Sequence, residues 1–156
     1  MGTGLAETLG AYQTKKYKNL ICIIGDGSFV MNIQDLQSII QFRIPVVIIL
    51  VNNNGYLAIR HTQSGFLESK YYGTHPNWGL DFPNFKKVSK SFGLDYIKFS
   101  ENKNQSKVIK KLINIKKPTI CEVVVDENSP VLFKQKYHDN ISTRGNFIIS
   151  SHDVKL

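Results

Sequence analysis

The residue types best suited to chemistry fall in two short runs, Gly25-Asp26-Gly27-Ser28 and Asn52-Asn53-Asn54-Gly55-Tyr56. Asp26 offers a hard anionic oxygen, Asn53 a neutral amide oxygen, and Gly55 a main-chain carbonyl in a turn that permits close approach. Three oxygens carrying a single charge make a poor self-sufficient cage for a divalent cation. They make a good partial one when a diphosphate supplies two more, because Mg2+ takes octahedral oxygen coordination shared with substrate phosphates. Gly27 and Ser28 can add main-chain N–H groups and a hydroxyl for the same phosphates. Either run alone is an ordinary turn signal. Both together, each directly after an apolar run, are far more specific.

The elements that must position these residues are legible in the hydrophobic pattern. Residues 19–25 and 46–51 are continuous apolar runs and read as buried parallel strands, as do 96–99 and 119–125. Residues 4–17 have helical composition, with Leu5, Leu9 and Tyr12 at helical spacing. Residues 32–42 put Ile33, Leu36, Ile39 and Ile40 on one helical face and stop before Pro45. Further helices are read at 82–92 and 105–115, and another follows the Asn-rich turn. Strands alternating with helices predict an α/β fold of three layers, a parallel sheet with helices on both faces. Both chemical runs then sit at the carboxyl ends of strands, where open α/β sheets bind ligands. The chain of 156 residues reads as a single domain, 1–156, whose tail after about residue 130 is less regular and is left unassigned.

Composition narrows the function classes. A hydrophobic fraction of 42% and an aromatic fraction of 11% are those of an ordinary globular protein, and no apolar run reaches membrane-spanning length. Cys22 and Cys121 each lie inside an apolar run and read as reduced core thiols, with no zinc spacing, so the expected compartment is the cytoplasm. The net charge of +8 comes mostly from lysines scattered as pairs, such as Lys15-Lys16 and Lys86-Lys87. No nucleic-acid motif or stacking platform accompanies them, so neither nucleic acid nor membrane is an expected partner. His75, His138 and His152 show no ligand spacing and read as structural, and Trp78 reads as a packing residue.

The stretch from Gly25 to Asn53, opening G-D-G and closing N-N, resembles the thiamine-diphosphate signature. The longer run GDGSFVMNIQDLQSIIQFRIPVVIILVNNNGYLAIR is similar to the acetolactate synthase-like branch of thiamine-diphosphate-dependent enzymes. Met1-Gly2-Thr3-Gly4-Leu5 resembles the M-G-x-G-L segment upstream of that signature, and Phe82-Pro83-Asn84-Phe85 through Gly93 resembles a later stretch of the same domain. The resemblance implies the C-terminal, diphosphate-binding domain, with a sheet of about six parallel strands. It implies Asp26, Asn53 and the Gly55 carbonyl as Mg2+ ligands and Gly27 and Ser28 as diphosphate contacts. It places Tyr56 beside the metal loop, and Met1 as the apolar residue on which thiamine diphosphate bends.

The same resemblance implies what the chain lacks. Family members activate the cofactor with a glutamate on a separate pyrimidine-binding domain, and Glu7, Glu68, Glu101, Glu122 and Glu127 lie in no matching motif. No catalytic residue is therefore assigned, and a separate pyrimidine-binding subunit or self-association is expected, with a small 2-oxo acid such as pyruvate as substrate. After the Asn-rich turn come Leu57, Ala58, Ile59 and Arg60, where simple decarboxylases carry an acid. Without a nearby acid to quench a carbanion, carboligation is favoured over plain decarboxylation. Arg60, His61, Thr62 and Gln63 form a polar cluster on the helix that follows. Two other readings stand beside this one: a non-catalytic truncated fragment, and an α/β module that binds a partner through its basic surface.

Overall fold

The computed structural model describes residues 1–16, 19–99 and 105–128. The chain runs through α1 (Gly4–Gln13), β1 (Leu20–Gly25), α2 (Asp26–Met31), α3 (Asp35–Gln41) and β2 (Val46–Asn52). Then come α4 (Leu57–Phe66), a short 3-10 turn (Pro76–Trp78), α5 (Phe85–Phe92), β3 (Asp95–Phe99), α6 (Gln105–Ile113) and β4 (Thr119–Val124). The four strands form one wholly parallel sheet in the order β1-β2-β4-β3. Helices α1, α2 and α5 pack on strands of one face, and α3 packs between α1 and α5. The step from β3 back to β4 reverses direction along the sheet, and α6 forms the connection between them. The expected α/β layering is borne out, although the described residues hold four strands where about six were implied.

The core lies between β1, β2 and β4 and the helices of the first face. Phe29, Leu36, Ile39, Ile48, Leu50 and Ile120 are fully enclosed in it. Each such side chain contributes about 1.5–3 kcal/mol relative to exposure. Phe29 of α2 meets Phe85 of α5 edge-on, with ring centroids 5.7 Å apart. This contact ties the helix that carries Asp26 to the helix behind β3.

Three expectations are corrected. The apolar run of β1 is buried on one face only: Cys22 and Ile24 are inside, while Ile21 and Ile23 are 65% and 71% exposed. β1 is the edge of the sheet among the described residues, paired with β2 alone. The helix expected over 32–42 is α3, and it starts three residues later, at Asp35. A separate helix, α2, begins at Asp26 itself and ends at Met31, where Asn32, with φ of -130° and ψ of 35°, breaks the helical path before α3 starts. The helix expected from residue 82 starts at Phe85, because Pro83 precedes a cap: the Asn84 side chain accepts the Lys87 N–H at 3.0 Å. Residues 129–156, with His138 and His152, lie outside the described residues.

Candidate functional site

Strand register builds the site. Gly25 pairs with Val51, so the residues that follow them, Asp26 and Asn52-Asn53, emerge side by side at the carboxyl edge of the sheet. Asp26 is 1% exposed. Its Oδ1 accepts the Gly27 N–H at 2.7 Å, and its Oδ2 accepts the N–H groups of Asn53 at 3.1 Å and Gly55 at 3.0 Å. Burial pushes the Asp26 carboxyl above the usual carboxylate range, and the surrounding main-chain N–H groups oppose that shift. One carboxylate thus fastens both chemical runs together.

Oxygens suited to a cation remain free beside it. Asn53 Oδ1 is buried with no hydrogen-bond partner among the described residues. An orphaned acceptor in such a place costs about 1–3 kcal/mol unless a ligand meets it. The Gly55 carbonyl likewise accepts no hydrogen bond from the described residues. No group of three or more His, Cys, Asp or Glu that could hold a metal occurs among the described residues, as the mixed donor set requires. Asp26, Asn53 and Gly55 fit an oxygen-seeking cation that shares its remaining positions with phosphate.

Glycine is required at two places for different reasons. A Cβ at Gly27 would collide with the Tyr56 ring, which lies directly on the Gly27 backbone. Gly55 sits at φ +147° with Arg60 and the Thr74 carbonyl against the position of its missing Cβ. Tyr56, whose N–H donates to Thr74 O at 3.1 Å, also packs edge-on against Phe82. Its ring supports the Gly-Asp-Gly turn from beneath. Ser28 is half-buried in the first turn of α2, its hydroxyl without a partner among the described residues. Met1 is 68% exposed at the same end of the molecule, where Gly4 packs on Ile24 and Gly2 on Met31.

The comparisons with known proteins follow this geometry. Residues 1–123 match the family described as "Thiamine pyrophosphate enzyme, C-terminal TPP binding domain". The chain belongs to this family. This TPP-binding domain is 30% identical over 128 residues to the acetolactate synthase large subunit of Porphyra purpurea, covering 82% of the chain and 21% of that protein. It is 34% identical over 132 residues to the mitochondrial acetolactate synthase catalytic subunit of Saccharomyces cerevisiae, covering 85% of the chain and 19% of that protein. Among solved structures it superposes on the thiamine diphosphate-dependent 4-hydroxybenzoylformate decarboxylase of Rhodococcus jostii RHA1 with a TM-score of 0.68. That match has 30% identity and covers 83% of the chain and 24% of the other. The TPP-binding domain thus spans about a fifth of the length of these curated relatives.

Several residues at the site of this TPP-binding domain were invisible to sequence reasoning. Glu122 of β4 is 8% exposed and accepts Asn52 Nδ2 at 2.8 Å and the Tyr96 hydroxyl. Burial first, and the bond to Glu122 next, push the Tyr96 phenol above its ordinary range. Asn52 Oδ1 in turn accepts the Asn54 N–H at 3.0 Å, so Glu122 braces the Asn-rich turn from the sheet. This group lines a cleft of about 460 Å3 with Phe82, Asn84 and Lys98. The signal was a carboxylate inside the otherwise apolar TICEVVV. Arg60 and Gln63, read only as a polar cluster, are both buried. His61 Nε2 is buried with no hydrogen-bond partner among the described residues. His75 faces Glu127 at 3.6 Å, and Trp78 packs edge-on against Tyr72.

Proposed function

We propose that this TPP-binding domain holds Mg2+ through Asp26, the Asn53 amide oxygen and the Gly55 carbonyl, and through it the diphosphate of thiamine diphosphate. The observation that carries the reading is Asn53 Oδ1, buried beside the enclosed Asp26 with no hydrogen-bond partner among the described residues. Gly27 and Ser28 offer main-chain N–H groups and a hydroxyl to the phosphates, and the exposed Met1 supports the bend of the cofactor. Thiamine diphosphate, when bound, supplies the electron sink for decarboxylation of a 2-oxo acid such as pyruvate.

The reaction class proposed is acetolactate synthase-like carboligation. The first turn of α4 presents Leu57, Ala58 and Ile59 beside the metal loop and carries no carboxylic acid that could protonate a carbanion there. No glutamate of the described residues is assigned to cofactor activation, and catalysis requires a pyrimidine-binding partner domain. The bare outer face of β1, with Ile21 and Ile23, supports the need for a partner.

Calorimetric titration of the 156-residue chain with thiamine diphosphate tests the binding reading. Binding is expected with Mg2+ present, and it should be lost in its absence and in Asp26→Ala and Asn53→Ala. Equal binding by Asp26→Ala would overturn the assignment.

A further inference from the structure

Arg60 is 5% exposed, yet no carboxylate among the described residues pairs with it. Its charge is met by main-chain oxygens alone. Nη1 donates to Thr74 O at 2.9 Å and to Asn54 O at 3.5 Å, and Nη2 donates to Asn53 O at 3.3 Å and to Glu127 O at 2.7 Å. A buried cation is expensive, and carbonyl dipoles are a weaker return for it than a carboxylate. Hydrophobic packing alone does not explain its place at this loop.

The choice of acceptors gives a reason. Of the three consecutive carbonyls at 53, 54 and 55, the guanidinium takes the first two and leaves the third without a hydrogen bond among the described residues. It also lies against Gly55, where a Cβ would collide with it. A second bracket holds the other side: Gln63 Nε2 donates to Tyr72 O at 3.1 Å, and the Thr74 hydroxyl donates to Gln63 Oε1. Thr74 O in turn accepts from both Arg60 and the Tyr56 N–H. Arg60 thus joins the metal loop, the 71–75 segment and Glu127 beyond β4.

We propose that Arg60 is a positioning residue that sorts the loop carbonyls, drawing Asn53 O and Asn54 O away so that Gly55 O alone is offered to the cation. The proposal rests on the reading of Asp26, Asn53 and Gly55 as Mg2+ ligands. A planar fork can span several carbonyls where a lysine ammonium cannot, so Arg60→Lys keeps the charge and removes the sorting.

The test measures affinities for Mg2+ and for Ca2+, each with thiamine diphosphate, in the unsubstituted chain and in Arg60→Lys. Mg2+ demands a fixed near-octahedral set, whereas Ca2+ tolerates irregular ones. Mg2+ affinity is expected to fall about 10- to 100-fold in the variant, the usual cost of losing an outer partner of a metal ligand. Ca2+ affinity should change much less, and this drop in the Mg2+/Ca2+ ratio is something a merely less stable protein would not show. Amide exchange without any ligand supplies the second readout, with faster Asn53 and Gly55 N–H exchange expected in Arg60→Lys and unchanged exchange at Ile48 and Leu50. Metal-dependent binding with an unaltered ratio, or unaltered exchange at Asn53 and Gly55, would overturn this inference alone. No metal-dependent binding by the unsubstituted chain would overturn the metal reading and this inference with it. Should Arg60→Lys fail to fold, the guanidinium protons of the unsubstituted chain decide: slow exchange at Arg60 supports the clamp, and free rotation refutes it.

Discussion

At the scale of single residues, the site is a contest between hydrogen bonds made and left unmade. Asp26 is enclosed, and its carboxylate meets three main-chain N–H groups that no other side chain satisfies. Asn53 presents the reverse case, an enclosed oxygen that no group among the described residues satisfies. Gly27 is fixed by contact, since the Tyr56 ring occupies the space of any side chain there. Gly27→Ala should therefore destabilise the fold by about 1–3 kcal/mol through overpacking, measured by urea unfolding. The same variant should weaken thiamine diphosphate binding, because the ring can yield only by displacing the turn that carries Asp26. An unchanged unfolding midpoint would show that Tyr56 moves freely.

At the scale of elements, three strands and a helix cap hold the site's frame. Tyr96 on β3 donates to Glu122 on β4, and Glu122 accepts in turn from Asn52 at the end of β2, so a chain of bonds across three strands braces the first residue of the Asn-rich turn. The Tyr96 phenol is raised above its ordinary value of 10.0. Above that ordinary value, until the folded phenol itself ionises, the folded chain binds more of this proton than the unfolded chain, so stability falls as pH rises. Urea melts from pH 9 upward should show this loss above about pH 10 in the native chain, and Tyr96→Phe should flatten it. A slope that persists in Tyr96→Phe would assign it to other groups. Asn84 caps α5, whose Phe85 locks onto Phe29. Asn84→Ala should cost about 0.5–2 kcal/mol in thermal or chemical unfolding, the usual loss for such a cap.

At the scale of the whole molecule, the sheet is covered unevenly. The face that carries α1, α2, α3 and α5 is closed, whereas at the β1 edge the opposite face leaves Ile21 and Ile23 open. An open apolar edge on a parallel strand invites association. Ile23→Lys should shift the chain towards monomer in analytical ultracentrifugation while leaving its circular dichroism unchanged. Association that persists undiminished in this variant would place the contact elsewhere. No helix among the described residues is long and apolar enough to cross a membrane.

The sequence by itself determined the strands and the parallel layering, and it singled out Asp26, Asn53 and Gly55 as the donor set proposed here, because these depend on local pattern: apolar runs, helical spacing and turn residues next to them. It did not determine which residues hold that set in place. Arg60, Gln63 and Thr74 meet across loops, and Glu122 meets Asn52 from the neighbouring strand, a separation of 70 positions. Only strand register and the folding of α4 onto the 71–75 segment bring these groups into hydrogen-bond range. Burial was equally a tertiary matter: the run NLICIIG is apolar throughout, and its place at the sheet edge decided that half of it faces out. The donors of the site were written in one dimension, and their orientation was fixed by contacts that exist only in three.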